Sequence, residues 1–277
     1  MNGEGDIRLR QYLLSGFGGE RALLEDMASW LGDVAGLVSY NGKSFDMPLL
    51  SARCRLNRLP DAIAGRAHLD LLYTVRRAFS ARWSDCRLQT AERRLLGLQR
   101  QDDLPGYMAP KAWQQWLRNA DPGPLVGVLR HNRQDVLSLC ALHARLVALY
   151  QRTDRVDADR ARMARAWVKA GCQDAALDLL RDTRDATHDE RLLLADIQRR
   201  RGQWRQAEGV WQALADEGCE QALEALSKYY EHRRRDYRAA LRMALQLGGS
   251  DAEHRCARIR RKCGPNMFLP LLSGGRE

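Results

Sequence analysis

The sequence contains no C-x-x-C pair, although it has seven cysteines in 277 residues. The cysteines are odd in number and widely spread, so neither a zinc site nor a disulfide framework is indicated, and a reducing cytoplasm is favoured. No apolar run approaches the roughly 20 residues needed to span a bilayer. No basic-then-apolar leader is present either. We therefore expect a cytoplasmic protein of about two domains, with no membrane segment and no secretion signal.

Acidic residues are fewer than basic residues, 35 against 45. The net charge is +10, and 40 of the 45 basic residues are arginine. A basic balance favours a polyanionic partner such as nucleic acid, and arginine suits phosphate recognition. Because a genome-wide codon bias explains the arginine content equally well, the charge gives only mild support to a nucleic-acid partner.

The stretch Tyr40–Leu50, "YNGKSFDMPLL", follows a short apolar run. This pattern predicts a strand over 34–40, a turn at Asn41-Gly42 and a helix from about Asp46 to Asn57. Asp46 is thus expected at the end of a strand and the start of a helix, where ligands bind in α/β sheets. The alternative is that Asp46 only caps the helix.

A second pair of polar residues lies in a long amphipathic helix predicted from about Pro124 to Gln151. His131 and Asp135 are four residues apart and therefore share one face of that helix. In a hydrolytic metal site, Asp135 would hold a cation while His131 would orient or deprotonate water. The alternative is a surface ion pair.

Four blocks then occur in a characteristic order: "YNGKSFDMPLL", "HLDLLYTVRRAF", "LQTAERRLLGLQRQDDLPG" and "LRHNRQDVLSL". In this order they resemble the bacterial YprB-type ribonuclease H-like proteins, part of the DEDD superfamily of 3′–5′ exonucleases. The resemblance implies an α/β ribonuclease H-like domain over 1–152 that acts on or binds DNA or RNA. It also implies Mg²⁺ or Mn²⁺ held by Asp46 and Asp135, with His131 catalytic beside them. Asn41 and Lys43 would contact phosphate or sugar.

The family's first motif, an Asp-x-Glu pair on the first strand, has no counterpart here. Glu4 and Asp6 are in the wrong order and follow no apolar strand. We therefore expect two of the four metal carboxylates to be absent, and the chain to bind metal weakly and hydrolyse little or nothing. The sheet is expected to be truncated, with a strand at 6–14 that either pairs with 34–40 or is poorly ordered.

Several other residues of the N-terminal half are expected to have structural roles. Asp70 is predicted to cap a helix or to support a metal ligand, and not to bind metal directly. Glu92 is predicted to be a paired acid, at the surface or half buried. Gly97 is predicted to stop the helix over 88–96 in the left-handed conformation. The adjacent acids Asp102-Asp103 are expected in a solvated turn.

Beyond Asp154 the strand pattern ends and a helical repeat begins. Gly171, Gly202 and Arg235 are each followed five residues later by alanine, at spacings of 31 and 33 residues. These periods are close to the tetratricopeptide unit and predict an all-α, tetratricopeptide-like solenoid over 155–265. Three functions stay open: a nuclease whose recorded start is wrong, a degenerate nuclease that only binds nucleic acid, and a scaffold whose repeats hold a protein partner.

Overall fold

The computed structural model describes residues 8–100, 106–151, 157–181 and 185–263. The chain divides into two compact units, Met1–Asp159 and Arg160–Glu277. Four acids considered above, Glu4, Asp6, Asp102 and Asp103, lie outside the described residues.

The N-terminal unit mixes helices with a small parallel sheet. Its elements are α1 (Glu20–Leu31), β1 (Gly36–Ser39), α2 (Asp46–Leu56), β2 (Ala67–Asp70), α3 (Leu71–Phe79), α4 (Leu88–Ala91), α5 (Ala109–Asn119) and α6 (Gly123–Gln151). Short 3₁₀ helices cover Phe17–Gly19 and Gly106–Met108, and a π-helical turn covers Glu92–Leu96.

The sheet is a β-α-β unit in which β1 and β2 run parallel. Ser39 is in register with Asp70, and Val38 with Leu69. The paired ends Ser39 and Asp70 are buried, whereas Val38 and Leu69 remain 45% and 42% exposed. The carboxyl ends of both strands therefore meet at one edge, and one face of the sheet shows apolar side chains.

The core of this unit lies where α3 contacts α6. Val75 and Phe79 on α3 are fully buried, as are Leu142 and Leu146 on α6. The repeat of apolar residues at helical spacing explains this packing. Val136, which the same pattern places on the apolar face of α6, is instead 36% exposed.

The predicted strand over 6–14 is wrong for the residues the structure describes, because 8–14 form no strand and β1 pairs with β2 instead. Gln11 donates to the carbonyl of Leu129 at 2.8 Å. The indole N–H of Trp113 donates to the carbonyl of Leu14 at 2.7 Å. Hydrogen bonds to the backbone of α6 and from a side chain of α5 thus hold this segment, where a neighbouring strand was expected.

The C-terminal unit is helical throughout its described residues. Its elements are α7 (Arg160–Lys169), α8 (Gln173–Leu180), α9 (His188–Arg200), α10 (Trp204–Asp216), α11 (Glu220–Tyr229), a π-helical turn (Tyr230–Arg234), α12 (Tyr237–Ala244) and α13 (Ser250–Cys263). Consecutive helices pack against each other: α7 on α8, α9 on α10, α11 on α12 and α12 on α13.

The turns between these helices share one backbone feature. Gly171 and Gly202 have φ of +80° and +76°, and Arg235 has φ of +55° at the corresponding place. Glycine adopts this left-handed region without strain, whereas an L side chain does so at a cost. The third turn therefore keeps the geometry of the other two although it lacks their glycine.

Buried carboxylates tie the helices of this unit together. The side chain of Glu231 is fully buried and accepts hydrogen bonds from Arg258 and Lys262. Burial opposes its ionisation, but these bonds outweigh burial and lower the pKa of Glu231 to about 2. Glu190 is bound in a similar way by Arg160.

Among the described residues, none of the helices has both the length and the apolar character that a membrane crossing requires.

Candidate nucleic-acid interface

The turn after β1 is held by one buried carboxylate. Asp70, only 2% exposed, accepts backbone N–H bonds from Asn41 at 2.7 Å and Lys43 at 3.0 Å. It also accepts the N–H of Leu72 at 3.1 Å and so caps α3, as predicted. Asp70 therefore fixes the two residues that were predicted to contact nucleic acid, through their backbone.

The same turn allows no side chain at Gly42. A Cβ there would lie 2.5 Å from Ser39 Oγ and 2.6 Å from Ser39 Cβ. The Gly42 N–H donates to Ser39 Oγ at 3.2 Å, and that oxygen lies 2.8 Å from His68 Nε2. The close approach of Gly42 to the end of β1 thus makes the turn tight, and His68 of β2 supports it.

Asp46 is the first residue of α2 and is exposed. Phe45 stands at the N-cap and α2 has no side-chain cap bond, so Asp46 does not have the capping role that was its alternative explanation. Asp46 forms no hydrogen bond or ion pair with any described residue. A Cβ on Gly42 would lie 3.4 Å from its Oδ2, which places the carboxylate against the turn.

A cavity of about 610 Å³ opens beside Asn41. It is lined by residues from the end of β1, from α3 and from the segment that leads into α4: Tyr40, Asn41, Leu72, Arg76, Ser80, Trp83, Ser84, Asp85, Cys86, Arg87 and Leu88. Tyr40 donates its hydroxyl to the carbonyl of Cys86 at 2.6 Å and joins two walls of the cavity. Burial raises the pKa of Tyr40 above its ordinary value, so the phenol stays protonated.

The charges of this cavity are mostly positive. Arg76 and Arg87 are exposed, and within the described parts of the chain neither forms an ion pair with a carboxylate. Asp85 is the acid among the lining residues. Hydrogen bonds from the Thr90 hydroxyl at 2.6 Å and the Arg87 N–H at 2.9 Å lower its pKa. Because these bonds already engage Asp85, the two arginines are the groups left for an anionic ligand.

Sequence reasoning did not find Arg76, Arg87 or Trp83. Leu72, Arg76 and Ser80 follow one another at four-residue spacing and so share a face of α3, which was a usable signal. Nothing local in the sequence connects that face with Trp83 and Arg87. Trp83 stacks on Phe79 with ring centroids 4.1 Å apart, and this core contact brings the segment back to α3.

A second group of polar residues surrounds Asp135. His131 Nε2 lies 3.5 Å from Asp135 Oδ2, as their spacing on α6 predicted. The guanidinium of Arg100 donates from Nη2 to Asp135 Oδ1 at 2.6 Å. It also donates to both oxygens of Glu92, at 2.7 and 2.6 Å. Glu92 is thus a paired acid, as expected, and its partner is Arg100. The expected position at the surface or half buried is wrong, because Glu92 is only 1% exposed.

The backbone explains how Arg100 reaches these acids. The π-helical turn Glu92–Leu96 ends at Gly97, which has φ of +68° and stops the helix as predicted. The N–H of Leu98 then donates to the Glu92 carbonyl at 3.2 Å and turns the chain back. Arg100 follows two residues later and lies over the acid that began the turn.

These contacts differ from the donor set that a divalent metal needs. Mg²⁺ and Mn²⁺ are held by several oxygen ligands, commonly carboxylates. Among residues 8–100, 106–151, 157–181 and 185–263, no group of three or more His, Cys, Asp or Glu side chains is arranged to hold an ion. Asp135 already faces a guanidinium. The described residues therefore do not fit a two-metal centre, and a metal role for Asp46 and Asp135 stays a prediction.

The comparisons with known proteins identify a family for the part of the chain that carries the four sequence blocks. The RNase_H_2 family of the RNase_H superfamily matches residues 1–147, more than half of the chain. The chain therefore belongs to the RNase_H superfamily.

It is also similar to "Uncharacterized protein YprB" of Bacillus subtilis (strain 168). The two are 30% identical over 282 aligned positions, which cover 94% of this chain and 68% of that protein. No solved structure matches the chain. The ribonuclease H-like fold class and the resemblance to YprB are thus confirmed.

Proposed function

We propose that the N-terminal unit binds nucleic acid at the edge of the sheet where β1 and β2 end. The observation that carries the proposal is the cavity beside Asn41, with Arg76 and Arg87 on its walls and, among the residues that the structure describes, no carboxylate paired to either. Lys43 is exposed in the adjoining turn and adds a third cation. Cations grouped along a groove supply most of the affinity for a phosphate backbone. Membership of the RNase_H superfamily supports the same partner.

The proposal includes weak or absent hydrolysis. The guanidinium of Arg100 already occupies one oxygen of Asp135 and would compete there with a metal ion. Among the described residues, no group of three or more His, Cys, Asp or Glu side chains is arranged to hold an ion. Within this unit, Asp70 fixes the binding turn, Asn41 and Lys43 face the nucleic acid, and the arginines hold phosphate. His131 and Asp135 would serve a nuclease only if Arg100 released the carboxylate.

Binding is tested with fluorescein-labelled single strands of DNA and RNA, titrated with the full chain at increasing potassium chloride. The logarithm of affinity should fall linearly with the logarithm of salt concentration. Arg76→Ala and Arg87→Ala should each weaken binding and reduce the salt slope by about one. Arg118→Ala, an exposed arginine on α5 outside the cavity, is the matched control and should leave the slope unchanged.

Hydrolysis is tested on the same strands with magnesium or manganese present. We expect binding without shortening of the labelled strand. A magnesium-dependent exonuclease activity that disappears in Asp135→Asn would contradict the inactive part of the proposal. Equal slopes for Arg76→Ala, Arg118→Ala and the unmodified chain would contradict the binding site.

A further inference from the structure

The C-terminal unit contains a separate groove of about 470 Å³. Its walls come from α9, α10, α11 and the π-helical turn after α11. The floor is apolar, with Leu192 from α9, Trp211 from α10 and Ala225 from α11. A groove of this size, lined by the side chains of three helices, accommodates a few side chains of an extended peptide.

The aromatic rings of the groove are already in contact with other groups. Trp204 and Tyr229 stack with centroids 5.7 Å apart and an interplanar angle of 13°. Arg233 lies over the Trp204 ring at 5.4 Å, and Trp211 is only 4% exposed. Single-stranded nucleic acid binds where bases stack on open aromatic faces. The groove offers little such surface, so its geometry favours a peptide over a base.

The first acid of the groove, Asp196, has two arginine partners. Asp196 forms ion pairs with Arg199 and with Arg200, the latter at 2.8 Å. Both arginines lie at the end of α9, and each is about half exposed. One carboxylate shared by two guanidinium groups leaves a positive charge beside Asp196.

The second acid, Glu224, likewise has two basic partners. Glu224 lies 2.8 Å from both Lys228 and Arg255, and hydrogen bonding to Lys228 lowers its pKa. Arg233 also lines the groove and forms no ion pair with a carboxylate among the residues the structure describes. The rim therefore carries a surplus of positive charge around an apolar floor.

We propose that this groove binds an acidic peptide segment that places an aliphatic side chain on the floor formed by Leu192, Trp211 and Ala225. Carboxylates of the peptide meet Arg199, Lys228 and Arg233, and charge complementarity selects against basic segments. This inference goes beyond nucleic-acid binding by the N-terminal unit and does not depend on it.

The test uses the full chain and a fluorescein-labelled peptide that alternates aspartate and leucine. The matched peptide carries lysine in place of aspartate. Fluorescence anisotropy should show saturable binding of the acidic peptide and none of the basic one. Arg233→Glu and Lys228→Glu should each weaken binding about tenfold or more, because they reverse rim charges. Arg260→Glu, an exposed arginine of α13 outside the groove, makes the same charge change and should have little effect.

Thermal unfolding of each variant separates lost binding from lost folding. Two rim variants are used so that the test still stands if one of them does not fold. Absence of acidic-peptide binding, equal binding of both peptides, or equal effects of Arg233→Glu and Arg260→Glu would overturn the proposal. So would a result in which Arg233→Glu weakens binding of single-stranded DNA but not of the peptide, since the groove would then serve nucleic acid.

Discussion

The guanidinium of Arg100 donates a 2.6 Å hydrogen bond to the carboxylate of Asp135. The same guanidinium binds Glu92, which is almost completely buried. In this chain a side-chain cation thus stands between two acids, one of them the residue that the family resemblance assigns to a metal. Arg100 therefore stabilises the domain through Glu92 and at the same time occupies an oxygen of Asp135 that a metal ion would need.

Arg100→Met should strongly destabilise the N-terminal unit, because it leaves Glu92 buried without a counter-charge. Breaking a buried pair by removal of one partner typically costs about 3–5 kcal/mol. Urea unfolding followed by circular dichroism measures the loss. The control is Arg82→Met, which removes the exposed ion pair with Asp157 in the same unit and should change little. Similar losses for both variants would show that the Arg100 cluster is not a structural anchor.

Asp70→Ala should destabilise the unit by about 3 kcal/mol or more, since it leaves the N–H groups of Asn41, Lys43 and Leu72 without their acceptor. Nucleic-acid affinity should fall as well, because the backbone of the turn at Asn41 and Lys43 is no longer held in place. Asp46→Ala removes an exposed carboxylate that has no partner within the described ranges, and it should change stability by less than about 0.5 kcal/mol. If Asp46→Ala instead destabilised the unit as much as Asp70→Ala, the assignment of the structural role to Asp70 would be wrong.

Glu231 should make the C-terminal unit sensitive to acid. Its pKa of about 2 in the folded chain lies below the ordinary 4.5, so its stabilisation is fully present above about pH 4.5 and is lost as the pH falls towards 2. Glu231→Gln should therefore be less stable than the unmodified chain at pH 7, by on the order of 3 kcal/mol, and this gap should narrow between pH 5 and 2. Unfolding at several pH values measures it, with exposed Glu253→Gln as the control. A gap that did not change with pH would contradict the ion-pair explanation.

Arg235→Gly should stabilise the chain, because it relieves a side chain held at φ of +55°. The expected gain is about 0.5–1 kcal/mol, since the strain of about 1–2 kcal/mol is partly offset by the entropy of glycine. The reciprocal control is Gly202→Ala, which puts a side chain at φ of +76° and should destabilise. Thermal unfolding that ranks the two variants in the opposite order would contradict the left-handed turn.

Local sequence signals predicted the parts of the site that depend on neighbours along the chain. The end of β1, the start of α2 at Asp46, the cap by Asp70 and the stop at Gly97 all follow from residue type and spacing. The shared face of His131 and Asp135 followed from helical geometry.

Contacts between distant residues were not predictable in this way. Arg100 is 35 residues from Asp135, and no spacing rule connects a guanidinium in a loop with a carboxylate on a later helix. The segment 8–14 has the composition of a strand, but strand preference depends on an available neighbour. Here Gln11 and Trp113 supply other hydrogen bonds, and the segment takes those.

The left-handed Arg235 shows that glycine does not mark every sharp bend between the helices of this unit. Glycine takes the left-handed region at Gly171, Gly202, Gly218 and Gly249, and arginine takes it at position 235. A search for inter-helix glycines therefore passes over the boundary before α12, and the helix boundaries of relatives are better sought from the spacing of apolar residues than from glycine alone.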